Sequence, residues 1–126
     1  MELKEALGAL YKIAKEQYNI QQQPQLNLRN DVPNSQELFG RTAHYDPAEQ
    51  TIVVFITNRH PKDILRSFCH ELIHHVQNER GDLDIGDASH PTYAQDDKHM
   101  RKMEMQAYLE GNLLLRDFED NYKYKN

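Results

Sequence analysis

PKDILRSFCHELIHHVQNERG, residues 61–81, is the stretch from which the rest of the chain can be read. Pro61 suits the first position of a helix, where its missing N–H costs nothing, and Asp63 complements the dipole of the first turn. From there Ile64, Leu65, Phe68, Leu72, Ile73 and Val76 recur at three- and four-residue spacing, and Arg80-Gly81 reads as a stop. The spacing predicts a core-facing helix of about five turns. His70, Glu71 and His74 sit in its middle as HExxH. Residues four apart stand one above the other on a helix, so the two imidazoles can grip one cation, with Glu71 beside it to handle a proton. Buried imidazoles are costly unless their nitrogens find partners, and a metal supplies one. The competing reading is a pair of satisfied core histidines, or a solvated helix face.

Two histidines leave a catalytic metal short of a third protein ligand. Glu104 is the candidate. Glu104, Ala107, Gly111 and Leu114 or Leu115 share one side of a second predicted helix. Small residues at 107 and 111 would let that helix approach the first closely, as a short carboxylate arm requires. Glu110 and Glu119 are competing acids without small residues on their own faces. Cys69, beside His70, has mostly apolar neighbours on the helix and reads as a buried small hydrophobe rather than a ligand or nucleophile.

Upstream, Leu26 to Arg29 alternates and predicts a short strand. A hairpin is expected over 38–45 and 50–56, turning at Asp46-Pro47-Ala48-Glu49. Residues 2–18 carry Leu3, Ala6, Leu7, Leu10, Ile13 and Ala14 on one helical face. Gly81 to Asp96 reads as loop, and a long helix is expected from about Asp97 to Tyr122.

HExxH followed by Glu104-Met105-Gln106-Ala107 resembles the gluzincin group of zinc metallopeptidases, whose familiar members are thermolysin-like. Thr42-Ala43-His44-Tyr45 and Thr51 to Ile56 are similar to the strand pair that precedes the active-site helix in that group. The similarity runs over roughly residues 40–115, and the chain looks like a stripped catalytic core of the SprT-like or IrrE-like kind. It departs from the thermolysin pattern at Tyr108, where an Asp supporting a histidine would stand. Gln106 and Asn112 are possible substitutes. The resemblance implies a zincin-like α+β fold: a small, mostly antiparallel three-stranded sheet packed on the HExxH helix, with N- and C-terminal helices, over one domain, 1–126.

The resemblance also implies one zinc ion per chain held by His70, His74 and Glu104, and hydrolysis of peptide bonds by a metal-activated water with Glu71 as general base. A peptide or protein substrate would pair with the edge strand around Thr42 to Tyr45. Gluzincins often supply a Tyr or His to the oxyanion; Tyr93 is preferred here, with His90 and His99 as alternatives. His75 lies about 100° further round the helix than His74 and is expected to be a supporting or surface group. His44 and His60 are expected at the surface, where His44 on the edge strand could touch substrate. A zinc-binding sensor module without proteolytic activity and a non-enzymatic interaction protein are the other function classes.

Composition is consistent with that core. The chain has 126 residues and a formal charge of -5, with no Lys/Arg stripe, so nucleic-acid binding has little electrostatic support. The apolar runs are too short to span a bilayer, and residues 2–18 lack the basic start and apolar run of a secretion signal. A single cysteine cannot form an internal disulfide. The expected location is cytoplasmic.

Overall fold

The computed structural model describes residues 1–31, 42–83 and 93–123, excepting the side chains of 93–97 and 123. It is an α+β arrangement of three helices and a three-stranded sheet: α1 (Leu3–Tyr18), β1 (Gln25–Arg29), β2 (Ala43–Asp46), β3 (Thr51–Phe55), α2 (Pro61–Glu79) and α3 (Tyr93–Lys123). Among the described residues, no helix is long and apolar enough to cross a membrane.

Helix α1 buries Ala6, Leu7, Leu10 and Ala14, four of the six positions on its expected apolar face. It ends at Asn19, which takes the left-handed conformation (φ 54°) and donates its N–H to the Lys15 carbonyl, a common role for Asn after a helix.

The sheet is mixed, not mostly antiparallel. The strand order is β1-β3-β2, with β1 parallel and β2 antiparallel to β3. The physical reason lies in Thr51-Ile52-Val53-Val54, four consecutive buried residues. A strand buried on both faces belongs at the centre, flanked by partners on both sides, while the alternating β1 and half-buried β2 suit edges. The register brings Leu26, Leu28, Ile52, Val54, Ala43 and Tyr45 to one face. That face meets the helices: Ile52 and Val54 lie in the core with Leu10, Phe68, Leu72 and Leu114, and Leu28, Ala43 and Tyr45 pack against it. The turn after β2 is where the sequence indicated, with Asp46 accepting from the N–H groups of Ala48 (3.0 Å) and Glu49 (3.3 Å). Of the strand expected at 38–45, residues 38–41 lie outside the described residues.

Helix α2 starts at the expected place. His60 caps it, its ring Nδ1 accepting the Lys62 N–H at 3.0 Å. Residues 71–77 are all buried, because this half of the helix lies between the sheet and α3. Arg59 fastens the other end, donating to the carbonyls of Thr42, Phe55 and Asp63 and to the Ser67 hydroxyl.

Helix α3 begins at Tyr93, four residues earlier than the pattern suggested. Thr92-x-x-Gln95 has the order of a capping box, a cue that the weight of Gly, Asp and Pro before it obscured. The close approach anticipated from Ala107 and Gly111 is present. Ala107 is fully buried, and a Cβ built on Gly111 would stand 3.1 Å from the His70 backbone nitrogen and 3.2 Å from its Cα. Gly8, in α1, has nothing within 4 Å of such a Cβ.

Those two glycines should respond oppositely to one change. Gly8→Ala is expected to raise stability by about 0.5–1 kcal/mol, the propensity difference in an exposed helix. Gly111→Ala is expected to lower it, because main-chain atoms of α2 must give way. Denaturant midpoints of the two variants check the signs; stabilisation by Gly111→Ala would refute the close packing.

Candidate metal centre

The side of α2 that faces α3 carries His70 and His74 on successive turns, their ring centroids 4.9 Å apart. His70, Glu71 and His74 each offer a ligand atom within 4.8 Å of the others, a group that could hold a metal ion. Glu104 comes closer still, from the opposite helix. Its Oε2 lies 3.1 Å from His70 Nε2 and its Oε1 lies 2.9 Å from His74 Nε2. Glu110 and Glu119 do not occupy this place; Glu119 pairs with Lys62 at 3.5 Å.

The donor chemistry calls for a positive charge among these atoms. Gln77 is fully buried, and its amide NH2 donates to the Met103 carbonyl (3.0 Å) and to Gln106 Oε1 (2.8 Å). A main-chain carbonyl can only accept, so the amide orientation is fixed and Gln77 Oε1 faces His74 Nδ1 at 2.8 Å. Nδ1 must then carry a proton. Unless the ring is doubly protonated, Nε2 turns a lone pair toward the Glu104 carboxylate, and two acceptors tolerate that distance only with a proton or metal cation between them. Donors at ~2.0–2.1 Å from a tetrahedral zinc stand roughly 3.3 Å apart, close to the separations here. The residues fit a small divalent cation.

Electrostatics divide the two carboxylates. Glu104 keeps 59% of its side chain exposed, whereas Glu71 is only 7% exposed. Burial, and then the nearby charge of Glu104, pushes the Glu71 carboxyl up to about 7. Such a group exchanges a proton readily near neutral pH. Burial and the adjacent His74 hold His70 below the usual imidazole range against the pull of Glu104, which favours the neutral, ligating form. A cleft of about 510 Å³ runs past these groups, bounded by Thr42 and the β2 residues Ala43 to Tyr45, by Arg66 and Ser67 on α2, and by Met100 and Tyr108 on α3. Among the described residues β2 pairs with β3 alone, so it is an edge strand.

Other sequence candidates fall elsewhere. His75 is not at the surface but fully buried in a chain of hydrogen bonds, with the Glu79 carboxylate 3.8 Å from its Nε2. Asn78 Nδ2 donates to the Tyr45 hydroxyl (3.0 Å), that hydroxyl to His75 Nδ1 (2.7 Å), and His75 Nε2 to the Gln22 carbonyl (2.7 Å). This chain clasps β2 and the connection after α1 to α2. His99 is not merely solvated: its Nε2 donates to the Asp82 carbonyl at 2.6 Å, tying α3 to the turn after α2. Tyr93 is the first residue of α3, but its side chain, and His90 altogether, lie outside the described residues. Gln106 takes part only through Gln77. Gln77 itself was missed; its place three residues beyond His74 on the same helix was the available cue. No family model matches the chain, and neither a curated protein nor a solved structure does.

Cys69 is fully buried, and burial raises its thiol pKa far above the usual value. It should therefore resist thiol reagents in the native protein and react only on unfolding. Stoichiometric labelling of the native chain at pH 8 would contradict that placement.

Proposed function

We propose that the chain is a zinc metallopeptidase of the gluzincin kind, working in the cytoplasm, with a zincin-like fold and one zinc ion held by His70, His74 and Glu104. The observation that carries this reading is the Glu104 carboxylate spanning both imidazole Nε2 atoms from a separate helix, with a buried carboxylate, Glu71, beside them. A histidine pair kept for packing alone would have no use for an exposed acid brought to both rings.

When bound, such an ion supplies Lewis acidity, lowering the pKa of a water toward 7 and polarising a carbonyl. The residues of the chain supply the rest. Two neutral imidazoles and one carboxylate leave the site with net positive charge. Glu71 takes a proton from the attacking water and returns it to the leaving amine as the C–N bond breaks. Strand β2, which among the described residues pairs with β3 alone, borders the cleft, where an extended peptide can add as a further strand with its scissile carbonyl toward the histidines.

Glu71→Gln is expected to keep zinc affinity within a few fold while lowering hydrolysis of a susceptible peptide by ~10²–10⁴-fold, the usual scale of a lost acid–base group. Full turnover in that variant would remove Glu71 from the chemistry. Glu104→Ala should weaken zinc binding at least ~10-fold, since it deletes a ligand rather than a supporting contact. An unchanged dissociation constant, read against a chromogenic chelator, would place the third ligand elsewhere.

A further inference from the structure

Gln77 stands where the two ligand-bearing helices meet. It is fully buried, and each polar atom of its side chain is engaged: Oε1 with His74 Nδ1, and Nε2 with both the Met103 carbonyl and Gln106 Oε1. Met103 immediately precedes Glu104, and Gln106 follows it by two residues. One amide group therefore grips one ligand, His74, on α2 and both flanks of the other, Glu104, on α3.

The direction of these bonds decides what they do. A neutral imidazole carries its proton on one nitrogen or the other, and only the bare nitrogen can accept a cation. Were the proton on Nε2, it would point at Glu104 and occupy the place of an ion. The Met103 carbonyl prevents this at one remove, because it fixes the Gln77 amide with its oxygen toward His74. The main chain of α3 thus dictates the tautomer of a histidine on α2.

We infer that Gln77 is the positioning residue that assembles the site: it fixes His74 with the proton on Nδ1 and binds that histidine to the turn of α3 bearing Glu104. Its purpose rests on the metal-site reading above, but its hydrogen-bond logic does not. Gln77 touches neither substrate nor metal and acts only through His74 and the Glu104 turn. Supporting partners of this sort typically change metal affinity by ~10–100-fold when removed.

The test uses the full chain, labelled with ¹⁵N and free of metal, at a pH raised until the ring spectrum shows His74 with a single proton, since an imidazolium carries one on each nitrogen. Long-range ¹H–¹⁵N correlations report which ring nitrogen carries the proton. His74 is expected in the Nδ1–H form in the wild type. Gln77→Met, which keeps the volume but none of the three hydrogen bonds, should lose that preference and weaken zinc binding by ~10–100-fold. Gln77→Glu, which restores an acceptor for His74 but has no donor for the Met103 carbonyl or Gln106 Oε1, should recover the Nδ1–H form without the hold on α3. Loss of packing alone would not be rescued in this way. A wild-type His74 protonated on Nε2 overturns the inference, and so does a folded Gln77→Met variant with unchanged zinc affinity. The wild-type spectrum decides even if that variant does not fold. It also decides if the wild type takes up no zinc, an outcome that sinks the proposed function instead.

Discussion

Everything at the candidate centre depends on how closely α3 can lie on α2. A glutamate side chain is short, and Glu104 reaches both histidines only because Gly111, two turns along the same face, sits against the backbone of Cys69 and His70. Ala107 fills the turn between them without pushing the helices apart. Packing and chemistry are thus one constraint: the residues that let the helices touch also set the position of the acid. Larger side chains at 107 or 111 would separate them and move Glu104 away from His70 and His74 while leaving both helices intact.

Close approach brings polar groups into the interior, where each must be satisfied. The molecule handles them in three clasps. Gln77 joins His74 to α3, His75 joins α2 to Tyr45 on β2 and to Gln22, and Arg59 joins the start of α2 to the ends of β2 and β3. Glu79 adds a fourth contact, accepting from the N–H groups of Gln21 and Gln22. The strand that borders the cleft, the helix that carries the imidazoles and the helix that brings the carboxylate are therefore cross-linked through hydrogen bonds, buried at Gln77 and partly buried at His75, as well as apolar packing. What stays unbalanced among the described residues is His44 Nδ1, buried without a hydrogen-bond partner, and the meeting of Glu104 with His70 and His74, where a proton or a metal cation must lie between the atoms.

Much of this was legible because it rests on local rules. Helical spacing located α1 and α2 to within a residue or two, the four-residue interval paired His70 with His74, and Ala107 and Gly111 singled out Glu104 from the other acids of α3. What was not legible depends on partners distant in sequence. The parallel pairing of Gln25–Arg29 with Thr51–Phe55 follows from the burial of β3 on both faces, which a five-residue apolar run does not by itself distinguish from a hairpin strand. His75 looked peripheral because a single helix period takes no account of Tyr45 or Gln22. Gln77 went unnoticed because the residues that fix its amide, Met103 and Gln106, lie on another helix.

His70, His74 and Glu104 stand together as a group that could hold a metal ion, and metal analysis of the native chain decides whether they do. Protein purified with neither chelator nor added metal should contain one zinc per chain, or take up one on titration with the affinity of a specific site. A chain that holds no metal as isolated and binds none on titration would contradict the account. Glu104 and the two imidazoles would then share a proton, and the cleft beside them would have to serve another chemistry.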